Sequence, residues 1–168
     1  MTSLEVDMMI VFCVESSKDN KDYNLYCERL ESKKGKINKR IKTKFLGLYD
    51  GNHKVTHFGE IKGTITAEAF RDFQKNGGDI NKKKEWGIID NDAIETIKKA
   101  INNATFYTFE TANDRIYIVK EWYPLDSVKT DKLIQNKKSI KLKNHIPKIN
   151  DATLIENIAN LIRNKTFK

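Results

Sequence analysis

The sequence predicts an α/β (or α+β) fold: one mixed sheet with helices packed on it and two β-hairpins. Three observations predict it. The apolar run Met8-Met9-Ile10-Val11-Phe12-Cys13-Val14 is short and rich in β-branched and aromatic residues, which reads as a strand buried on both faces. Other segments place their apolar residues at helical spacing. Turn-forming clusters, Asp50-Gly51-Asn52-His53 and Thr111-Ala112-Asn113-Asp114, separate pairs of β-rich runs. At 168 residues, 39% apolar and 32% charged, the chain has the size and composition of a single globular domain spanning 1–168. No internal repeat or linker divides it.

After the first strand, residues 19–33 read as a helix, because Tyr23, Tyr26, Cys27 and Leu30 fall on one side of it. Phe45 to Tyr49 and Lys54 to Ile61 then form a hairpin around Asp50-Gly51. Thr66 to Lys75 is a helix capped by Thr66, with Phe70 and Phe73 inward, and Asn76-Gly77-Gly78-Asp79 ends it. Trp86-Gly87-Ile88-Ile89 is a second short apolar strand. Asp92 begins a helix to about Ala104, and Asp92-x-x-Glu95 has the form of a capping box. Thr105 to Glu110 and Arg115 to Tyr123 make the second hairpin. Residues 124–150 read as irregular and basic, with a strand at Ser139 to Leu142. The segment 151–164 is an amphipathic helix, with Leu154, Ile155, Ile158, Leu161 and Ile162 on one face. That face can dock on the core, or on a second copy or another protein.

The charge pattern points to a polyanion. The formal net charge is +8 and the pI about 9.3, and a basic surface concentrates and steers anionic partners. One basic stretch holds Lys33, Lys34, Lys36, Lys39, Arg40, Lys42 and Lys44 with no acid among them. A second, from Lys132 to Lys148, includes Lys137, Lys138, Lys141 and Lys143 and is also free of acids. Flanking one groove, they would follow a phosphate backbone of DNA or RNA; otherwise they are two solvated loops. Lysines outnumber arginines 26 to five. Arginine is the preferred bidentate phosphate and base contact, so part of the charge reflects an AT-rich coding bias. Phe106, Tyr107, Phe109, Tyr117, Trp122 and Tyr123 crowd the second hairpin, and those on an open face could stack on bases.

Other classes are disfavoured. The first apolar run is too short to cross a bilayer and is preceded by Glu5 and Asp7, unlike a secretory signal. Cys13 and Cys27 make no disulfide framework or zinc ribbon and read as reduced apolar residues. The expected setting is the cytoplasm of a bacterium, or of a host cell for a phage-encoded chain. Gly77-Gly78 lacks the Lys-Ser/Thr of a phosphate loop. His53-x-x-x-His57 has no third ligand with a clear claim on a metal.

Two sets of acids carry the catalytic alternatives. The predicted buried strands end in Val14-Glu15-Ser16-Ser17 and Ile89-Asp90-Asn91-Asp92. In open α/β sheets ligands bind at the carboxyl ends of strands. As parallel neighbours, the two strands would bring Glu15, Asp90 and Asp92 to one rim, a donor set suited to Mg²⁺. This order of elements resembles a Toprim domain, whose members bind Mg²⁺ and act on nucleic-acid phosphates. The resemblance covers roughly residues 8–110. It implies Glu15 as the general acid/base or metal-linked acid, with Asp90 and Asp92 as metal ligands. Ser16 stands where that family usually has Gly. In the purely structural alternative, Asp92 caps a helix, Asp90 ends a strand and Glu15 enters a loop.

Glu60-Ile61-Lys62 resembles the ExK element of the PD-(D/E)xK nucleases, with Asp50 ten residues earlier. Period-two geometry puts Glu60 and Lys62 on one strand face, as a catalytic pair would require. The hairpin argues against Asp50 as the partner acid. With the turn at 50–53, Glu60 lies about six residues along the strand, on the order of 20 Å at roughly 3.3 Å per residue. Thr43 or Lys44 would stand opposite Glu60, and neither replaces an aspartate. An exposed cross-strand ion pair is the favoured reading of this element.

Overall fold

The computed structural model describes residues 7–12, 15–29, 43–109, 114–130, 132, 137–142, 155–162 and 166–167. They form a mixed sheet with four α-helices, the α/β class expected from the sequence. In chain order the elements are β1 (Asp7–Phe12), α1 (Ser17–Tyr23), β2 (Leu25–Arg29), β3 (Phe45–Tyr49), β4 (Lys54–Thr66), α2 (Ala67–Asn76), a 3-10 turn (Ile80–Lys82), β5 (Trp86–Gly87), α3 (Asn91–Asn103), β6 (Asp114–Thr130), β7 (Lys137–Lys141), α4 (Ile155–Ile162) and β8 (Thr166–Phe167). Two compact units are distinguished. The first comprises Met1–Ser17, Lys42–Glu60 and Glu121–Lys168; the second comprises Lys18–Ile41 and Ile61–Lys120.

In the first unit β1 is an inner strand, parallel to β3 and antiparallel to β7. Met8, Met9, Ile10 and Val11 are all buried, as a continuous apolar run requires. Ile140 and Leu142 join Met8, Ile10, Phe45 and Phe58 in one core. The apolar face of α4 is taken up there too: Ile158, Ala159 and Ile162 are buried in it, while Leu161 is exposed. Cys13, Val14, Leu154 and the ends of the expected 151–164 helix lie outside the described residues.

The hairpin β3–β4 turns at 50–53. Gly51 and His53 both have positive φ, and Asp50 Oδ1 accepts from the backbone N–H of Asn52 at 2.8 Å and of Lys54 at 3.2 Å. Asp50 is thus a turn residue, as Asx side chains often are. The register shifts between Leu48 and Tyr49, and Phe45, rather than Thr43 or Lys44, faces Glu60. A bulge inserts one extra residue in one strand, which moves the partner of Glu60 one position beyond the count from the turn.

In the second unit the helix expected over 19–33 is only seven residues long. Asn24, with φ 48°, ends it, and residues 25–29 pair antiparallel with β6 as a strand. Tyr23, Tyr26 and Cys27 have helical spacing, but Leu25, Tyr26 and Cys27 are matched by Ile118, Tyr117 and Ile116 across the ladder, and that pairing wins. Leu30 lies outside the described residues. Residues 105–109 are irregular rather than a hairpin arm, and the N–H groups of Thr105, Phe106 and Tyr107 are taken by a side chain, as described below. The strand β6 begins at Asp114 and continues to Thr130, beyond the expected end at Tyr123. The remaining segment of the expected turn, 110–113, lies outside the described residues.

Thr66 caps α2 as expected, its hydroxyl accepting from the Ala69 N–H at 3.2 Å, and Gly77 at φ 71° ends the helix. The second apolar run forms only the two-residue strand β5, antiparallel to β4, and Ile88 beyond it is 64% exposed. Gly87 sits at φ 75° with its backbone so close to β4 that a Cβ would stand 2.2 Å from the Lys62 carbonyl oxygen. Helix α3 buries Ala93, Ile94, Ile97 and Ala100 against Phe70, Ile89, Ile116 and Leu25 in this unit's own core.

Candidate functional site

Asp90, not Asp92, caps α3. Asp90 is extended (φ −91°, ψ 178°), and its Oδ1 accepts from the Ala93 N–H at 2.9 Å. Its Oδ2 is ion-paired with Lys62 Nζ. The hydrogen bond from Lys62, with that from Ala93, holds the Asp90 carboxyl below its ordinary value. The expected Asp92–Glu95 capping box therefore starts two residues too late. Asp92 is an exposed residue of the first turn. Lys62 and Asp92, with Tyr23, Thr96 and Lys120, line a cavity of about 210 Å³. The lysine of the Glu60-Ile61-Lys62 element thus meets the Asp90–Asp92 pair, which sequence spacing had assigned to a separate site.

The other expected members are placed as follows. Glu15 lies exposed in the turn before α1, in the first unit. The bonded neighbours of β1 are β3 and β7, and β5 bonds to β4. The parallel adjacency expected to bring Glu15 beside Asp90 and Asp92 is not among the pairings of the described strands. The reason is that Gly87 lies against β4, so the second apolar run pairs as a short edge strand. Glu60 is half-buried opposite Phe45 in the first unit, and Asp50 lies in the turn at the other end of that hairpin. Among the described residues no group of three or more His, Cys, Asp or Glu side chains is placed to hold a metal ion. His53 Nδ1 hydrogen-bonds the Thr130 carbonyl at 3.0 Å and His57 Nδ1 the Thr56 hydroxyl at 3.0 Å.

Of the basic residues, Lys141 is exposed on β7, and the Lys44 ammonium sits 5.6 Å from the centre of the Phe45 ring. Lys137 and Lys138 are in β7, but their side chains are outside the description, as are Lys33, Lys34, Lys36, Lys39, Arg40, Lys42 and Lys143 altogether.

The second unit holds a polar centre that sequence reading missed. Arg115 is 2% exposed. Its Nε donates to Glu85 Oε1 at 2.8 Å and its Nη2 to Glu85 Oε2 at 2.7 Å, a bidentate pair. Its Nη1 lies 3.9 Å from Glu28 Oε2, which also accepts from the Tyr117 hydroxyl at 2.7 Å. Burial alone would lower the Arg115 pKa, but the bonds it donates to Glu85, with the interaction of Tyr117, outweigh it and keep the guanidinium charged. Burial, and then the Glu28 charge, push the Tyr117 hydroxyl up. Burial likewise pushes the neighbouring Cys27 thiol well up. Asp114-Arg115 reads in sequence as the edge of a turn; no local pattern announces that both side chains are buried.

Beside this centre lies a cavity of about 400 Å³, lined by Glu28, Asp114, Phe106, Tyr107 and Phe109 among others. Its aromatic wall is fixed by Asp19, which is 2% exposed. Asp19 Oδ2 accepts from the N–H groups of Phe106 at 2.6 Å and Tyr107 at 3.1 Å. Its Oδ1 accepts from the N–H and hydroxyl of Thr105 at 3.0 and 3.2 Å. Burial would raise the Asp19 carboxyl, but these backbone donors outweigh it and hold it below its ordinary value. The Tyr107 hydroxyl donates to Asn20 Oδ1 at 2.5 Å, and Phe109 is held at φ 55°, an unusual conformation for a bulky residue.

No helix among the described residues is long and apolar enough to cross a membrane. The chain matches no protein-family profile, and comparisons with curated proteins and with solved structures return no match.

Proposed function

We propose that this chain binds nucleic acid, DNA or RNA, through lysine-rich segments carried on an α/β framework, and that it does so without cleaving it. The distribution of charge carries this reading. Seven of the twelve residues 33–44 are basic and none is acidic, so this stretch alone contributes +7 against a whole-chain formal charge of +8. Charge concentrated in this way suits contacts with successive phosphates, which release counterions and supply affinity without reading sequence. The non-catalytic form is favoured because Asp90 is already committed to its helix cap and to Lys62, so a Mg²⁺ ion there would have to displace the ammonium.

The test is fluorescence anisotropy with labelled single- and double-stranded DNA and RNA, in Mg²⁺ or EDTA. Binding should weaken steeply between about 50 and 200 mM salt, with a log–log slope of about −0.7 per phosphate contact on single strands. Absence of binding at low salt would overturn the proposal. A second reading, a Mg²⁺-dependent phosphodiester enzyme, draws support from the meeting of Lys62 with Asp90 beside Asp92. Cleavage in Mg²⁺ that disappears in EDTA and in Asp90→Asn would replace the first reading with the second.

A further inference from the structure

We infer that the cavity beside Arg115 is a base pocket that takes one unstacked guanine. This rests on the nucleic-acid reading above and adds to it a specificity that lysine–phosphate contacts cannot provide. At about 400 Å³ the cavity lies within the range of small-ligand sites. Two kinds of wall meet in it. Phe106, Tyr107 and Phe109 supply ring surface, and Phe106 is 47% exposed. Base–aromatic stacking of this kind is the usual way single-stranded nucleic acid is held. Glu28 and Asp114 supply carboxylates that are 8% and 7% exposed.

The carboxylates select the base. An ionised carboxylate only accepts hydrogen bonds, and its two oxygens can serve more than one donor. Guanine presents two adjacent donors, N1–H and the 2-amino group, on its Watson–Crick edge. Adenine and cytosine pair one amino group with a ring-nitrogen acceptor, and uracil sets its single N–H between two carbonyls. Only guanine offers a carboxylate two donors side by side with no opposing lone pair. The pocket is also preorganised. Asp19 pins the backbone of residues 105–107, Asn20 fixes the Tyr107 ring, and Tyr117 with Arg115 orients Glu28. Little side-chain freedom remains to be lost on binding, which favours affinity.

The test compares guanosine with inosine, which differs only by lacking the 2-amino group, and with uridine. Each is titrated against the full chain by NMR or calorimetry. Nucleosides carry no phosphate, so the lysine-rich segments do not contribute. Guanosine should bind about tenfold tighter than inosine, the loss expected for one bond to a charged acceptor, and uridine should bind least. Phe106→Ala, at a position 47% exposed and with its circular dichroism checked against the parent, should weaken guanosine about tenfold. Glu28→Gln should abolish the preference for guanosine over inosine. Equal affinity for guanosine and inosine, no binding of either, or a Phe106→Ala chain that binds as the parent does, would each overturn the inference. Oligonucleotide binding without guanosine preference removes the pocket and leaves the nucleic-acid reading standing. Guanosine selectivity without oligonucleotide binding keeps the pocket and removes that reading.

Discussion

Asp19→Asn tests whether one carboxylate shapes the aromatic wall. The substitution keeps size and shape but replaces one acceptor oxygen by an NH₂ group. Whichever oxygen is replaced, two donors lose their acceptor: Phe106 and Tyr107 N–H at Oδ2, or the Thr105 N–H and hydroxyl at Oδ1. Each orphaned donor costs about 1–3 kcal/mol when buried. Because Phe106 is partly open to water, the lower part of that range applies. The surviving oxygen also loses its charge, which weakens its remaining bonds. The expected loss is about 3 kcal/mol. In urea denaturation followed by circular dichroism, the midpoint should fall with the slope unchanged. In a thermal scan, Tm should fall by about 6–12 °C for a chain of this size.

The pH dependence of this difference carries a sign. The folded Asp19 carboxyl lies below its ordinary value. Its contribution is therefore fully present above the unfolded pKa of about 3.9 and is lost as pH falls through the depressed folded value. The gap between parent and Asp19→Asn should be flat from neutral pH to about pH 5 and close progressively below about pH 4. A gap under about 0.5 kcal/mol at pH 7, or one that persists undiminished at the lowest pH where the chain stays folded, would refute the assignment.

Three further outcomes follow from the geometry. Arg115→Met removes the partner of buried Glu28 and of Glu85 and should cost about 3–5 kcal/mol in urea denaturation; Arg115→Lys should rescue little, because an ammonium cannot form the bidentate fork. Gly87→Ala places a Cβ against the Lys62 carbonyl at positive φ, and should cost on the order of 3 kcal/mol and speed amide exchange at Ile88, whose N–H bonds the same carbonyl. Asp90→Ala should cost about 1–2 kcal/mol, as the loss of a helix cap plus a partly exposed ion pair, whereas Asp92→Ala should lie within about 0.5 kcal/mol of the parent; equal costs at the two positions would contradict the cap.

Local chemistry made part of the fold legible. The Asp50-Gly51 hairpin, the α2 start at Thr66 and the buried run at 8–11 each depend on neighbours in sequence, and each stands where expected. Elements decided by distant partners were not legible. Residues 25–29 carry helical spacing, yet the ladder with 114–118 makes them a strand. Thr105 and Phe106 suit a strand, yet Asp19, 86 residues away at Thr105, captures their N–H groups. The same holds for the candidate sites. Strand-end acids could be found by eye, but that Lys62 meets Asp90, or that Arg115 is buried between Glu85 and Glu28, requires the tertiary structure.

The antiparallel ladder between β1 and β7 pairs Met8 with Ile140. During synthesis this apolar strand is made well before one of its two partners, with Met8 132 residues ahead of Ile140. At about 5–20 residues per second, β1 must wait several seconds beside the ribosome with that edge uncovered. Contacts so remote in sequence also close slowly once available. The β1–β7 ladder therefore forms only after all the intervening segments have been made, and until then an apolar strand keeps one unpaired edge, the kind of surface on which chains aggregate.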